Sequence, residues 1–311
     1  MTGSVVRVLR KPGKDTCVVE LKTSPSLTND YQRTTHVIFA MDVSASMDEP
    51  AVEPAVGNNM VGFISPDNTR LNYITRILGA SLSYIGESSS VQNDNTILVS
   101  VMTFSAHAKT IVKQLDCYAL SDEAIKNIIG DVKKQRRECT NFESAMGHIS
   151  RNLSMLPSDG VAVNEIVVFM TDGCITQGSR DKTILTDLMC RGKEGVNSQI
   201  ADWRFIGVGT DFAYLLLNSL KQRIDEKTQP VNQPVVSVDF LDNIEHACII
   251  YGDVIAPYLS HSAYDAKFFS LEENEYSPVY FGNTMTGALD SKQFRIGIVP
   301  ADTTRYVTMR T

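Results

Sequence analysis

Three short segments carry side chains that together could hold a metal ion. Asp42, Ser44 and Ser46 alternate in Asp42-Val43-Ser44-Ala45-Ser46, directly after the apolar run His36-Val37-Ile38-Phe39-Ala40-Met41. Asp172 follows a second apolar run, Glu165-Ile166-Val167-Val168-Phe169-Met170, in Thr171-Asp172-Gly173. Thr140 and Asn141 stand just before a helical pattern that begins at Phe142. The set offers two carboxylates and three hydroxyls, all of them oxygen donors. Such donors suit Mg²⁺ or Mn²⁺, which favour octahedral geometry and retain water. The spacing of Asp42, Ser44 and Ser46 lets one turning loop aim three side chains at a single point. Serine and threonine bring no formal charge, so a cation held this way stays electrophilic and can take a carboxylate from another molecule.

The elements that must position these residues alternate between strand and helix. His36 to Met41 is apolar on both faces, as a strand buried between two helix layers requires. Leu71, Ile74, Leu78, Leu82 and Ile85 fall at helical spacing, Thr96 to Phe104 reads as a second buried strand, and Lys109 to Leu115 as an edge strand. Ala124, Ile125, Ile128, Ile129 and Val132 mark a helix that Ser121 or Asp122 caps. Phe142, Ala145, Met146, Ile149, Leu153 and Leu156 mark another, stopped near Pro157. Strand Glu165–Met170, a helix through Ile184 to Met189, strand Arg204–Val208, a helix from Phe212 to Ile224, and a short strand from Val235 to Val238 follow. Ile244, Ala247, Tyr251, Ile255 and Tyr258 form a last helical stripe. This order predicts an α/β fold, a doubly wound and mainly parallel sheet with helices on both faces. Ligands of such sheets bind beyond the carboxyl ends of the strands, where Asp42 and Asp172 fall.

The two ends of the chain read differently. Residues 4–10 and 16–22 are β-rich and flank Pro12-Gly13, a hairpin signature. Beyond Ser260, Phe268-Phe269, Val279 to Phe281, Phe294 to Val299 and Arg305 to Met309 are short strand candidates. The expected organisation is an N-terminal β segment (1–33), an α/β domain (34–260) and a C-terminal β segment (261–311) that packs with the first as a small β module.

Val37-Ile38-Phe39-Ala40-Met41-Asp42-Val43-Ser44-Ala45-Ser46-Met47 resembles the first motif of the von Willebrand factor A domain family. The metal-ion-dependent adhesion site of that family uses D-x-S-x-S, a distant threonine and a distant aspartate. Thr140, heading Thr140-Asn141-Phe142-Glu143-Ser144-Ala145-Met146, matches the threonine motif, and Asp172 in Val167-Val168-Phe169-Met170-Thr171-Asp172-Gly173 matches the last one. The resemblance implies a metal site of Asp42, Ser44, Ser46, Thr140 and Asp172, with Mg²⁺ or Mn²⁺ as the ion and the two aspartates direct or through water. It further implies a non-enzymatic protein–protein interaction module of the adhesion type, completed by a partner's Asp or Glu. A looser likeness in Asp242 to Tyr258, strongest over Glu245-His246-Ala247-Cys248-Ile249-Ile250-Tyr251-Gly252-Asp253, is to intracellular members found in protists and large DNA viruses. It implies the alternative of a structural component of a large assembly, such as a minor capsid protein of a virion. One departure is visible: Asp48 to Asn68, rich in Pro, Gly and Asn, separates the first motif from the next helix. It reads either as a surface insertion or as a lid whose Glu49 or Glu53 occupies the open position of the metal.

Composition removes other classes. A net charge of −7 and a pI near 5.3 disfavour a surface built to grip nucleic acid. No apolar run approaches the roughly 18 residues of a membrane span. Met1 to Lys11 lacks the apolar stretch of a secretory signal, so an intracellular or virion location, not secretion, is expected. The cysteines (Cys17, Cys117, Cys139, Cys174, Cys190 and Cys248) are scattered without a CxxC pair, and read as free buried thiols in a reducing compartment. Gly173 to Arg180 resembles a phosphate loop but lacks its lysine. Ser44 removes the second carboxylate that an aspartyl-phosphate phosphatase needs. The histidines show no metal spacing, and there is no G-x-S-x-G serine elbow; each histidine reads as a surface or packed residue, and Cys174, with no base identifiable beside it, as a structural thiol.

Overall fold

Val37, Ile38, Phe39, Ala40 and Met41 are all completely buried, which a strand achieves only when both sheet faces are covered. The structure, a computed structural model, describes residues 5–10, 16–22, 33–51, 69–89, 95–135, 138–153, 162–190, 202–209, 212–227, 235–241, 255, 264–269, 277–280, 293–299 and 304–310. In chain order the elements begin with β1 (Val5–Arg10), β2 (Thr16–Lys22) and β3 (Arg33–Asp42). Helix α1 (Arg70–Ser89), β4 (Asn95–Phe104), β5 (Ala108–Asp116), α2 (Asp122–Lys133) and α3 (Phe142–His148) follow. Next come β6 (Ala162–Thr171), α4 (Lys182–Cys190), β7 (Asp202–Val208), α5 (Tyr214–Lys227) and β8 (Val236–Leu241). The last four are β9 (Tyr264–Phe269), β10 (Ser277–Tyr280), β11 (Gln293–Val299) and β12 (Thr304–Arg310).

The central sheet has six strands in the order β5-β4-β3-β6-β7-β8. All its pairs are parallel except β4 with the edge strand β5. Because side chains alternate along a strand, Val37, Phe39 and Met41 join Val99, Val101, Ile166 and Val168 on one face, under the apolar stripes of α1 and α2. Ile38 and Ala40 join Met102, Phe104, Val167, Phe169 and Phe205 on the other, under α3, α4 and α5. Ile255, the single described residue of the expected stripe from Ile244 to Tyr258, is buried against the first of these clusters. Ser121 caps α2 by accepting the Ala124 amide at 3.2 Å.

The helix expected from Phe142 to Leu156 is not uniform. It runs as α3 to His148 and then widens into a π turn over Ile149–Leu153; 154–161 lie outside the described residues. At this step His148 is held by Thr110 (2.7 Å) and Asn152 (3.1 Å). Arg151 folds back over Gly147, where an added Cβ would meet the guanidinium at 2.9 Å.

At the chain ends, β1 and β2 form the expected antiparallel hairpin, and β12 pairs antiparallel with β2. The result is a four-stranded sheet, β1-β2-β12-β10, with β9 and β11 forming a separate pair. The two termini therefore share one sheet.

Phe169 lies at the centre of an aromatic cluster, with ring centroids 4.6 Å from Phe104, 5.2 Å from Phe142 and 5.4 Å from Phe205. Phe169→Ala should lower unfolding free energy by about 3–5 kcal/mol in urea denaturation. A loss below about 1 kcal/mol would mean that the cluster closes over the gap without consequence.

Candidate metal centre

The parallel register pairs Met41 with Met170, so Asp42 and Thr171 end their strands side by side and Asp172 lies one residue beyond. Asp42 is completely buried. Its Oδ1 accepts the Ser44 amide at 2.8 Å, and its Oδ2 accepts the Thr171 hydroxyl at 2.6 Å. The first bond turns the chain back on itself, and a 3₁₀ turn over Ala45–Asp48 completes the reversal. Ser44 Oγ then lies 3.2 Å from Ser46 Oγ. The alternating motif does gather its side chains on one side of a loop.

Two backbone bonds fix that loop to its neighbours: Val43 N–H donates to Phe104 at 2.9 Å, and Ala45 N–H to Glu138 at 3.0 Å. The second tie leads into the segment of Thr140, itself buried. The Thr140 amide donates to Thr176 Oγ1 at 2.8 Å, and its carbonyl accepts the amides of Thr176 and Gln177. Asn141 caps α3 through the Ser144 amide at 2.9 Å. Gly178, at φ +78°, lets Asn141 approach closely: a Cβ there would fall 2.3 Å from Asn141 Oδ1. The stretch that resembles a phosphate loop is thus spent on holding the threonine segment. All five expected positions stand on these tied loops at the carboxyl end of the sheet.

Electrostatics sets this end apart. The Asp42 carboxyl is pushed up from 3.8 to about 7, chiefly by burial and next by the charge of Asp172, against the hydrogen bonds from Thr171 and Ser44. Asp172 is also buried, and no described residue donates a hydrogen bond to its Oδ1. Its Oδ2 accepts from Nη1 of Arg70 at 2.9 Å, while Nη2 of the same guanidinium lies 3.1 Å from Glu49 Oε2. Arg70 and Thr171 are the participants that sequence reasoning missed. Thr171 was visible within the Thr-Asp-Gly motif but had no evident role of its own. For Arg70 the signal was weaker still, since it opens a helix beyond the insertion. Glu49 faces Arg70, and Glu53 lies outside the described residues.

The residues fit a hard divalent cation. Two buried carboxylates stand close enough for the charge of Asp172 to raise the Asp42 carboxyl, no described residue donates to one Asp172 oxygen, and the hydroxyls of Thr171, Ser44 and Ser46 lie alongside. Among the described residues no three His, Cys, Asp or Glu gather as a metal cluster. A cation held here would therefore depend on the hydroxyls.

Two other expectations resolve. The thiols are not uniformly buried: Cys117 is, but Cys139 and Cys174 are exposed, because Cys139 lies on the loop between α2 and α3 and Cys174 on the loop after β6. His36 is packed, with Nδ1 2.8 Å from Glu165 Oε1 and Nε2 2.8 Å from Ser100 Oγ. This acid–imidazole–hydroxyl arrangement spans three strands. Ser100 and His36 have no exposed surface, so the arrangement serves as a buried polar tie.

Raising the Asp42 carboxyl makes the metal-free folded chain hold a proton that the unfolded chain releases between 3.8 and about 7. Stability from this group is therefore present at low pH and lost as pH rises through that window. In chelator, thermal unfolding of wild type should weaken with rising pH more than that of Asp42→Asn. Parallel curves would show that Asp42 ionises normally.

No protein-family model and no curated protein sequence matches the chain. Solved structures do. A von Willebrand factor type A protein from Catenulispora acidiphila matches with a TM-score of 0.54 and 13% identity, over 99% of this chain and 62% of that one. The present chain thus spans less than two thirds of that relative's length. The PilB minor pilin from Streptococcus sanguinis matches with a TM-score of 0.53 and 14% identity, over 81% of this chain and 76% of that one. Proximal thread matrix protein 1 from the mussel byssus, solved with a zinc-occupied adhesion-site motif, matches with a TM-score of 0.48 and 16% identity, over 72% and 48%. At such identities the likeness concerns architecture: the central domain has the α/β fold of a von Willebrand factor A domain.

Proposed function

We propose that this chain is a non-enzymatic, divalent-metal-dependent protein–protein interaction module. Ser44, Ser46 and Thr140 would hold Mg²⁺ or Mn²⁺, with Asp42 and Asp172 direct or through water. The observation that carries the reading is the pair of buried carboxylates at the ends of adjacent parallel strands, with Asp172 Oδ1 lacking a described donor. When bound, the cation supplies an electrophilic position for a carboxylate of a protein partner. The chain's own residues do the rest. Thr171 and the Ser44 amide orient Asp42, and the ties from Glu138 and Thr176 hold the threonine segment against the first loop. A surface of net charge −7 mildly repels an Asp- or Glu-bearing partner. The metal is the local exception.

In this reading residues 34–260 form the binding domain, and 1–33 with 261–311 form an attached β module, supported by the β2–β12 pairing. The reading keeps the intracellular or virion setting that the scattered cysteines of the sequence, with no CxxC pair, suggest. A second reading, a fixed building block of a large assembly such as a virion, draws support from the shared fold of a minor pilin.

Titration calorimetry with Mg²⁺ and with Mn²⁺ should show binding that is lost in Asp42→Ala and in Asp172→Ala. Identical titrations in all three proteins would refute the site. The partner that co-purifies should dissociate in EDTA, whereas an assembly component would stay incorporated.

A further inference from the structure

Arg70 is the first residue of α1, yet its side chain turns into the carboxylate pair and is 6% exposed. Burying a guanidinium is costly unless it is paired, and here the fold provides for it in three ways. Its two terminal nitrogens reach Asp172 at 2.9 Å and Glu49 at 3.1 Å. Its backbone is fixed by the Arg70 amide donating to Glu49 at 2.9 Å, beside a β-bridge between Pro50 and Thr69. Room for the guanidinium comes from Gly209, at φ +86°, where an added Cβ would fall 2.5 Å from Arg70 Nε. The contact is therefore built from four separate parts of the chain.

A guanidinium on Asp172 and a divalent cation at the same carboxylates compete for one negative charge. Asp172 gives Arg70 only Oδ2, while the Glu49 side chain, 56% exposed, anchors the other arm at the surface. We propose that Arg70 is a built-in competitor of the metal. It balances Asp172 in the metal-free chain, and a cation binding there drives it off Asp172 towards Glu49. Metal occupancy and the Asp172–Arg70 contact are then two ends of one equilibrium. By reciprocity, a partner carboxylate that captures the displaced guanidinium favours metal binding. The inference rests on the metal site proposed above and adds what the site must overcome before it loads.

The test is Mn²⁺ titration of the full chain as wild type, Arg70→Gln, Arg70→Met and Asp172→Asn. Removing the guanidinium should tighten Mn²⁺ binding by about tenfold or more, and Asp172→Asn should abolish it. Equal or weaker binding in folded Arg70 variants overturns the proposal while leaving the metal site standing. Absence of Mn²⁺ binding in wild type and in both Arg70 variants removes the metal site and the competitor together. NMR of the arginine side chains in wild type gives a readout that needs no variant. The hindered guanidinium signals of Arg70 should move towards those of a mobile arginine at Mg²⁺ saturation. A guanidinium that stays hindered in a Mg²⁺-saturated chain also overturns the proposal.

Discussion

Two carboxylates buried side by side repel each other and lose their hydration, so a fold keeps them only with compensation. Asp42 and Asp172 impose that constraint on everything around them. Thr171 and the Ser44 amide stabilise one carboxylate, Arg70 neutralises the other, and the Asp42 carboxyl still rises to about 7. Gly209 forgoes a side chain so that the guanidinium fits. None of these features has an obvious purpose alone. Together they describe a buried cluster of excess negative charge with a protein cation already leaning on it.

The sheet is what makes the cluster possible. Strands β3 and β6 are central, parallel and covered on both faces, so their carboxyl ends open at one level while their lengths stay dry. Apolar layers on either side hold this geometry rigid. Rigidity matters because a metal or a guanidinium must find oxygens already in place rather than recruit them. The loops at this end of the sheet are tied laterally to one another through Phe104, Glu138 and Thr176.

Much of this was legible in the residues. Continuous apolar runs such as Val37 to Met41 announced doubly covered strands, and the helical stripes announced their covers. Asp42 and Asp172 are picked out as candidates because each follows a buried strand where parallel sheets bind ligands, and Ser44, Ser46 and Thr140 by the motif they resemble. The helix from Phe142 was read too simply, since periodicity does not register a π turn. Burial of the cysteines was overread for a similar reason. Residue type gives an average tendency, whereas Cys139 and Cys174 lie on loops that face solvent.

The sequence by itself determined the strand–helix order, the β character of both ends and the chemical nature of the donor set, because periodicity and residue type are local properties. Only the tertiary structure decided that Arg70 meets Asp172 and Glu49, that His36 bridges Glu165 and Ser100, and that β12 closes on β2. Each of those contacts joins residues far apart in the chain. Their partners are chosen by strand order and register, which no local pattern encodes.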